Sequence, residues 1–116
     1  MRDIEQRTFE FAVRIVKLCQ ALDKEPGVSR TLATQILRSG TSVGANVEEA
    51  QGGQSKADFV SKLSISRKEA RESHYWLRLL AETEVVPSRQ LADLTDEANQ
   101  LVAILTTIIK NTKGNE

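Results

Sequence analysis

The feature that most limits the fold is a run of apolar and small residues that alternates by four and three positions. The positions are Phe59, Leu63, Ser66, Ala70, Ser73, Leu77 and Leu80. This spacing places them on one stripe of an α-helix, as in a helix packed lengthwise inside a bundle. The small residues at the middle of the stripe predict that a neighbouring helix approaches closely there. The rest of the chain is expected to pack against this helix.

Three other segments repeat apolar residues with a helical period. Their positions are Ile4, Phe11, Ile15, Leu18 and Leu22; Leu32, Ile36, Val43, Val47 and Ala50; and Leu91, Leu94, Ala98, Leu101, Leu105 and Ile108. Phe9, Val13 and Val16 are expected to widen the first stripe into a second apolar flank. The pattern predicts one all-α domain over residues 1–116, with helices near 4–22, 29–51, 55–83 and 88–112.

Turn residues separate the predicted helices. Proline and glycine interrupt the pattern within residues 23–27, Gly52-Gly53 ends the second helix, and Pro87 precedes the fourth. Ser29 is the predicted N-cap of the second helix. Ser55 is the predicted N-cap of the third, with Asp58 completing a capping box.

The second helix carries two unusual features. Gly40 and Gly44 make a smooth strip that suits a ligand, a nucleic-acid backbone or another helix, and close helix packing is the favoured interpretation. The opposite flank is polar, with Ser39, Ser42, Asn46 and Glu49 at steps of three, four and three. This polar ribbon is either a binding site or a hydrogen-bonded seam between two helices, and the seam is favoured because buried polar groups need partners.

Several short runs together resemble one known family. They are Gln35-Ile36-Leu37-Arg38-Ser39, Thr41-Ser42-Val43-Gly44-Ala45-Asn46-Val47-Glu48-Glu49-Ala50, Ser55-Lys56-Ala57-Asp58-Phe59, Glu69-Ala70 and Tyr75-Trp76-Leu77. The combination resembles the bacterial four helix bundle proteins, which are encoded in intervening sequences of large-subunit ribosomal RNA genes. That family is related to the accessory variability determinant of diversity-generating retroelements. The resemblance spans nearly the whole chain and implies an antiparallel up-and-down four-helix bundle, assembled as a ring-like homopentamer without a catalytic site.

The charge balance differs from that of the retroelement relatives, which are basic proteins that engage nucleic acid and a reverse transcriptase. Here Lys+Arg number 16 and Asp+Glu number 16, so strong phosphate-driven binding is not expected. The single cysteine, Cys19, permits no intrachain disulfide, offers no metal-ligand spacing and is expected to be buried. Without a signal-peptide pattern or an apolar run of roughly 18 residues, the sequence predicts a cytoplasmic protein with no membrane partner.

One flank of the third helix is basic. Arg67, Arg71, His74 and Arg78 fall within a narrow arc beside the core stripe. Side chains in this arrangement can contact phosphates of RNA or DNA, and symmetry would repeat them around a ring. The favoured alternative is a solvated flank, or one paired with acids of a neighbouring helix, so any nucleic-acid binding is expected to be weak.

Apolar residues also occur on the side of the third helix that points away from the core stripe. Ile65, Trp76 and Leu79 lie there, and a tryptophan in such a group favours an interface between copies of the chain. The alternatives are a wide core, or Trp76 as a stacking platform for bases.

The sequence gives little support for an enzymatic site. A di-iron bundle needs a histidine motif on each of two helices, and the chain has one histidine; no nucleophile elbow accompanies a serine triad. The strongest enzymatic alternative is an all-α magnesium-dependent nucleotide pyrophosphohydrolase. Such enzymes bind magnesium through paired carboxylate motifs, and this chain has a similar pair in Glu69-x-x-Glu72 and Asp93-x-x-Asp96. Because Glu72 and Asp96 point away from their core stripes, exposed surface charges are favoured. The sequence therefore predicts a non-catalytic, self-assembling module with no cofactor, no metal site and no small-molecule substrate.

Overall fold

Four helices account for most of the chain, as predicted. The computed structural model describes residues 2–114. The helices are α1 (Arg2–Leu22), α2 (Val28–Gln51), α3 (Lys56–Glu82) and α4 (Ser88–Gly114). The all-α fold is confirmed, and the predicted boundaries differ from the observed ones by no more than a few residues.

The helix starts depend on short local signals. Ser55 caps α3 by accepting a hydrogen bond from the Asp58 backbone amide at 3.1 Å, which confirms the predicted cap. The predicted cap of α2 was wrong: Gly27, with φ near +90°, precedes the helix, and Ser29 lies inside its first turn. A side chain is strained at such a positive φ, so glycine is suited to this turn.

Consecutive helices pack against each other as an antiparallel, up-and-down bundle. The packing is closest between α1 and α2, α2 and α3, and α3 and α4, whereas α1 and α4 meet more lightly. The molecule measures 48 × 21 × 19 Å, which matches helices of 21 to 27 residues lying side by side. Phe11, Ile36, Leu77 and Leu101 are fully enclosed at its centre. Because α1 packs against α2 and α4 but not α3, α1 and α3 lie on a diagonal.

The two glycines of α2 allow α1 to lie close. A Cβ atom at Gly40 would fall 2.7 Å from Cγ1 and Cγ2 of Ile15, and one at Gly44 would fall 3.1 Å from the Thr8 carbonyl oxygen. Both positions therefore serve helix packing, which was the favoured interpretation of the glycine strip.

Polar contacts hold α1 to α4 where their packing is lighter. The Arg7 guanidinium donates to both carboxylate oxygens of Glu97, at 2.6 and 3.0 Å, and also to the Gln100 side chain at 3.0 Å. The hydrogen bond to Glu97 is the main cause of a raised Arg7 pKa, which keeps the guanidinium charged.

Candidate assembly and nucleic-acid surfaces

The outward side of α3 carries the residues predicted to join copies of the chain. We call Ile65, Tyr75, Trp76 and Leu79 the α3 outer face. Tyr75 is 49% exposed and Ile65 39% exposed, whereas Trp76 and Leu79 are half-buried and Trp76 packs against the edge of the core. The structure therefore exposes less of Trp76 than expected and adds Tyr75, whose ring meets the indole edge-on with centroids 5.1 Å apart.

A charge cluster fixes the position of the indole. Trp76 Nε1 donates to Glu72 Oε2 at 3.0 Å. The guanidinium of Arg38 on α2 pairs with Glu72 and also with the nearly buried Glu69, the latter at 3.3 Å. The single positive charge of the arginine thereby reduces the repulsion between the two carboxylates at the α2–α3 contact.

The proposed magnesium motifs do not come together. Glu69 and Glu72 both lie against Arg38, whereas Asp93 and Asp96 are exposed on α4. Within residues 2–114, no group of three or more His, Cys, Asp or Glu side chains is arranged to hold a metal ion.

The polar ribbon of α2 divides into two parts. Ser39 is buried, and its Oγ lies 3.1 Å from Oγ of Ser73 on α3. Ser42 and Asn46 instead donate to carbonyl oxygens of their own helix, and Glu49 is exposed. Another hydrogen bond between α2 and α3 comes from the core stripe of α3, where Ser66 Oγ donates to the Val43 carbonyl at 2.7 Å.

The basic stripe, Arg67, Arg71, His74 and Arg78, is aligned as predicted but varies in exposure. Arg71 and Arg78 are exposed, and Arg67 and His74 are half-buried. The Arg78 guanidinium lies over the Tyr75 ring, 5.9 Å from its centroid, which is within the range of a cation–π contact.

His74 and Arg78 line an open groove of about 690 Å³ between α3 and α4. Glu82 and Asp96 line the same groove, so its charge is mixed. Burial lowers the pKa of His74, and the nearby Arg78 lowers it further, so the imidazole is neutral at pH 7. The half of the stripe inside the groove is thus less positive than the sequence pattern suggests.

A second apolar surface, carried by α1 and α2, is more exposed than the sequence predicted. We call Phe9, Val13, Val16 and Leu37 the α1–α2 face. Phe9 is 58% exposed and Leu37 41% exposed, and Val13 and Val16 are also exposed. The expectation that the three α1 residues widen the core stripe was wrong, because they lie on the outer side of α1. Their regular spacing, well apart from the stripe of Phe11 and Ile15, was the available signal.

A hollow beside Phe9 continues this face onto α2. Its lining comprises Phe9, Ala12, Thr41, Gly44, Ala45, Glu48 and Glu49. Among the described residues, the lining includes two carboxylates and no cation. Neither glutamate forms a salt bridge with a side chain of residues 3–114.

Cys19 has a structural position. Its thiol is buried and lies 3.4 Å from the Ala33 carbonyl oxygen, to which it donates. Burial is the main cause that raises its pKa to about 11, with a smaller contribution from Asp23, so the reactive thiolate is scarce at neutral pH.

Comparison with known proteins agrees with this architecture. The model of the 23S rRNA-intervening sequence protein family matches residues 2–107. The chain belongs to this family. A solved relative is a protein of unknown function from the S23 ribosomal protein family of Bacteroides thetaiotaomicron VPI-5482. It is 44% identical, has a TM-score of 0.86, and the alignment covers 92% of this chain and 98% of that one. No match was found among curated proteins.

In this member of the 23S rRNA-intervening sequence protein family, no helix within residues 2–114 is long and apolar enough to cross a membrane. Three surfaces remain as candidates for contact with other molecules. They are the α1–α2 face, the α3 outer face and the basic stripe.

Proposed function

We propose that this chain is a non-catalytic assembly module whose copies join into a closed ring, with five as the expected number. The observation that supports this role is that two separate helices, α1 and α3, each carry exposed apolar side chains outside a well-enclosed core. Apolar groups grouped on a surface commonly mark contacts with other proteins. A ring needs two different complementary surfaces per copy, whereas a symmetric dimer needs only one.

The position of the two surfaces also suits a ring. The α1–α2 face is carried mainly by α1, and α1 does not pack against α3, so the two surfaces are separate. The resemblance to a family of ring-forming four helix bundle proteins supports the number five.

The direct test is the mass of the assembly in solution. Size-exclusion chromatography with light scattering at micromolar concentration is expected to give a mass near five times 12.9 kDa. Negative-stain electron microscopy is then expected to show closed rings. A mass equal to one chain would overturn the proposal.

Contact with RNA or DNA is the second candidate role, and it depends on the basic stripe. Arg67, Arg71 and Arg78 form no salt bridge within the described part of the chain, so their charges remain available. A ring would repeat them around its axis. Since acidic residues share the α3–α4 groove, we expect weak binding that disappears as the salt concentration rises.

A further inference from the structure

The groove between α3 and α4 combines an aromatic ring with hydrogen-bonding side chains. On α3, Tyr75 is 49% exposed and lines the groove beside Leu79 and His74. Thr95 and Asn99 line it on α4. Its volume of about 690 Å³ is within the range of pockets that hold a small organic group. Because the groove is open to solvent, the group that enters can remain attached to a longer molecule.

The charges in the groove disfavour a phosphate or another anion there. Glu82 and Asp96 contribute two carboxylates to the lining, whereas Arg78 contributes the one positive charge among the described lining residues. His74 adds no positive charge at pH 7, because burial and the nearby Arg78 lower its pKa. An uncharged planar group with N–H donors suits this lining better, since it can stack on Tyr75 and donate to a carboxylate. A nucleobase has both properties.

Cations continue from the groove along α3. Arg71 is exposed one turn before Tyr75, and Arg67 lies one turn before Arg71. Neither arginine lines the groove, and neither forms a salt bridge with a side chain of residues 3–114. The groove with its carboxylates is therefore followed along the helix by a basic segment. This order fits a single strand of nucleic acid, in which an uncharged base enters the groove and the neighbouring phosphates meet the arginines.

We propose that the α3–α4 groove receives one unpaired base of a single-stranded nucleic acid, stacked on Tyr75, while Arg67 and Arg71 bind the neighbouring phosphates. This inference rests on the second candidate role, contact with RNA or DNA, and it identifies which part of the strand enters the groove. Asp96 Oδ2 already accepts a hydrogen bond from Gln100 at 2.6 Å, so the carboxylate is held in position and Oδ1 can accept from an amino group of the base. Adenine and cytosine carry such a group and are expected to fit better than uracil.

The groove shares part of its surface with the α3 outer face. Tyr75 and Leu79 belong to both, whereas Ile65 and Trp76 do not line the groove. A test of base stacking must therefore leave an apolar side chain at position 75, so that any contact between copies is kept.

Fluorescence anisotropy with short labelled strands of adenine, cytosine or uracil nucleotides tests the stacking. Tyr75→Leu is expected to weaken binding of the adenine strand about fivefold to tenfold, because the ring is lost while an apolar side chain remains. Tyr75→Phe keeps the ring and is expected to bind like the wild type. Equal affinity of the wild type and Tyr75→Leu for the adenine strand would refute the base site.

Salt dependence separates stacking from phosphate contact. Arg71→Ala removes a cation, so it is expected to weaken binding of all strands alike and to make the affinity less sensitive to salt. Tyr75→Leu is instead expected to keep the salt sensitivity of the wild type and to lose much of the preference for adenine over uracil. A Tyr75→Leu variant that behaves like Arg71→Ala in both respects would contradict the assignment.

A variant on α4 gives the same test away from the α3 outer face. Asn99→Leu replaces an exposed amide in the groove with an apolar side chain of similar size and unchanged charge. It is expected to reduce the preference for adenine over uracil and to leave the mass of the assembly unaltered. An unchanged preference would show that the base does not contact α4.

Mononucleosides and mononucleotides distinguish a strand from a free ligand with the same base. Adenosine is expected to bind weakly and to quench the emission of Trp76, the only tryptophan, because the Tyr75 ring meets the indole edge-on with centroids 5.1 Å apart. Adenosine monophosphate is expected to bind more weakly than the adenine strand, since the strand supplies further phosphates to Arg67 and Arg71. Tighter binding of the mononucleotide would make the ligand a free nucleotide and the inference wrong.

The outcomes separate this inference from the role on which it rests. No binding of any strand at low salt would remove the nucleic-acid role and the base site together. Strands that bind the wild type, lose affinity in Arg71→Ala and are unaffected by Tyr75→Leu would leave the phosphate contacts in place and overturn the base site alone. Circular dichroism of Tyr75→Leu is expected to show unchanged helix content, because the side chain at this position is exposed.

Discussion

Small side chains determine how closely the helices of this bundle lie. Gly40 and Gly44 allow the backbone of α1 to approach α2, and Ser66 and Ser73 allow α2 to approach α3 while supplying hydrogen bonds. Glycine inside a helix costs roughly 1 kcal/mol relative to alanine, so its presence is explained by the contact that it permits. At Gly40 that contact is with Ile15, whose branched side chain has little freedom to move away.

Substitution of Gly40 tests this explanation. Gly40→Ala is expected to lower the free energy of unfolding by about 1–2 kcal/mol, because overpacking costs more than the improved helix propensity returns. Urea denaturation measures the change.

The control for this prediction is Gly114→Ala. Nothing lies within 4 Å of a Cβ atom there, so we expect almost no change. Ile15→Ala combined with Gly40→Ala should cost less than the two single changes together, since the added methyl then occupies vacated space. Higher stability of Gly40→Ala would contradict the close contact.

The contacts between elements are unequal around the bundle. Apolar and small residues join α2 to α3, whereas the α1–α4 contact is lighter and includes the hydrogen-bonded group of Arg7, Glu97 and Gln100. The guanidinium meets the Glu97 carboxylate through two nitrogens, and both side chains are mostly shielded from water. A two-point contact of this kind is stronger than an ordinary surface ion pair.

Replacement of Arg7 tests the importance of this contact. Arg7→Ala is expected to destabilise the protein by about 1–2 kcal/mol, since it leaves Glu97 without its partner. Arg7→Lys should recover only part of the loss, because an ammonium group cannot make the same two-point contact. Arg14→Ala, an exposed change on the same helix, is the comparison. Equal effects of Arg7→Ala and Arg14→Ala in chemical denaturation would show that the pair contributes nothing.

The helices were predictable from sequence because each carries an uninterrupted apolar stripe ended by proline, glycine or a capping serine. The cap of α2 was predicted wrongly because a backbone turn at Gly27, rather than a side-chain cap, precedes this helix.

The surfaces were harder to predict. Periodicity gives the direction in which a side chain points but not how much of it the neighbouring helix covers. The exposure of Phe9 was therefore missed, and that of Trp76 was overestimated. The salt bridges of Arg38 join residues that are far apart in the sequence, so local spacing could not predict them.

At the scale of the molecule, most of the exposed large apolar residues fall into two regions, the α1–α2 face and the α3 outer face. An isolated bundle gains nothing from leaving Phe9, Leu37, Ile65 and Tyr75 in water, because burying each would release ordered solvent. The proposed association between copies would remove this exposure without altering the core. The stability of the fold and the formation of the proposed ring should therefore be linked.

Thermal unfolding tests that link. If copies associate, the midpoint temperature is expected to rise by about 3–6 °C for each tenfold increase in protein concentration, because assembly binds only the folded chain. Phe9→Glu should abolish the dependence. Val28→Glu should preserve it, because Val28 is 68% exposed but lies outside both apolar faces. Differential scanning calorimetry over two decades of concentration makes the measurement. A wild-type midpoint that does not move with concentration would rule out the coupling.

The order in which the helices pack has a kinetic consequence. Each of the three closest helix pairs is joined by a short turn, so the chain never has to bring distant segments together before it gains stabilising contacts. Such topologies reach the native state within microseconds to milliseconds. If copies assemble into the proposed ring, the slow, concentration-limited event is therefore expected to be the encounter between folded subunits.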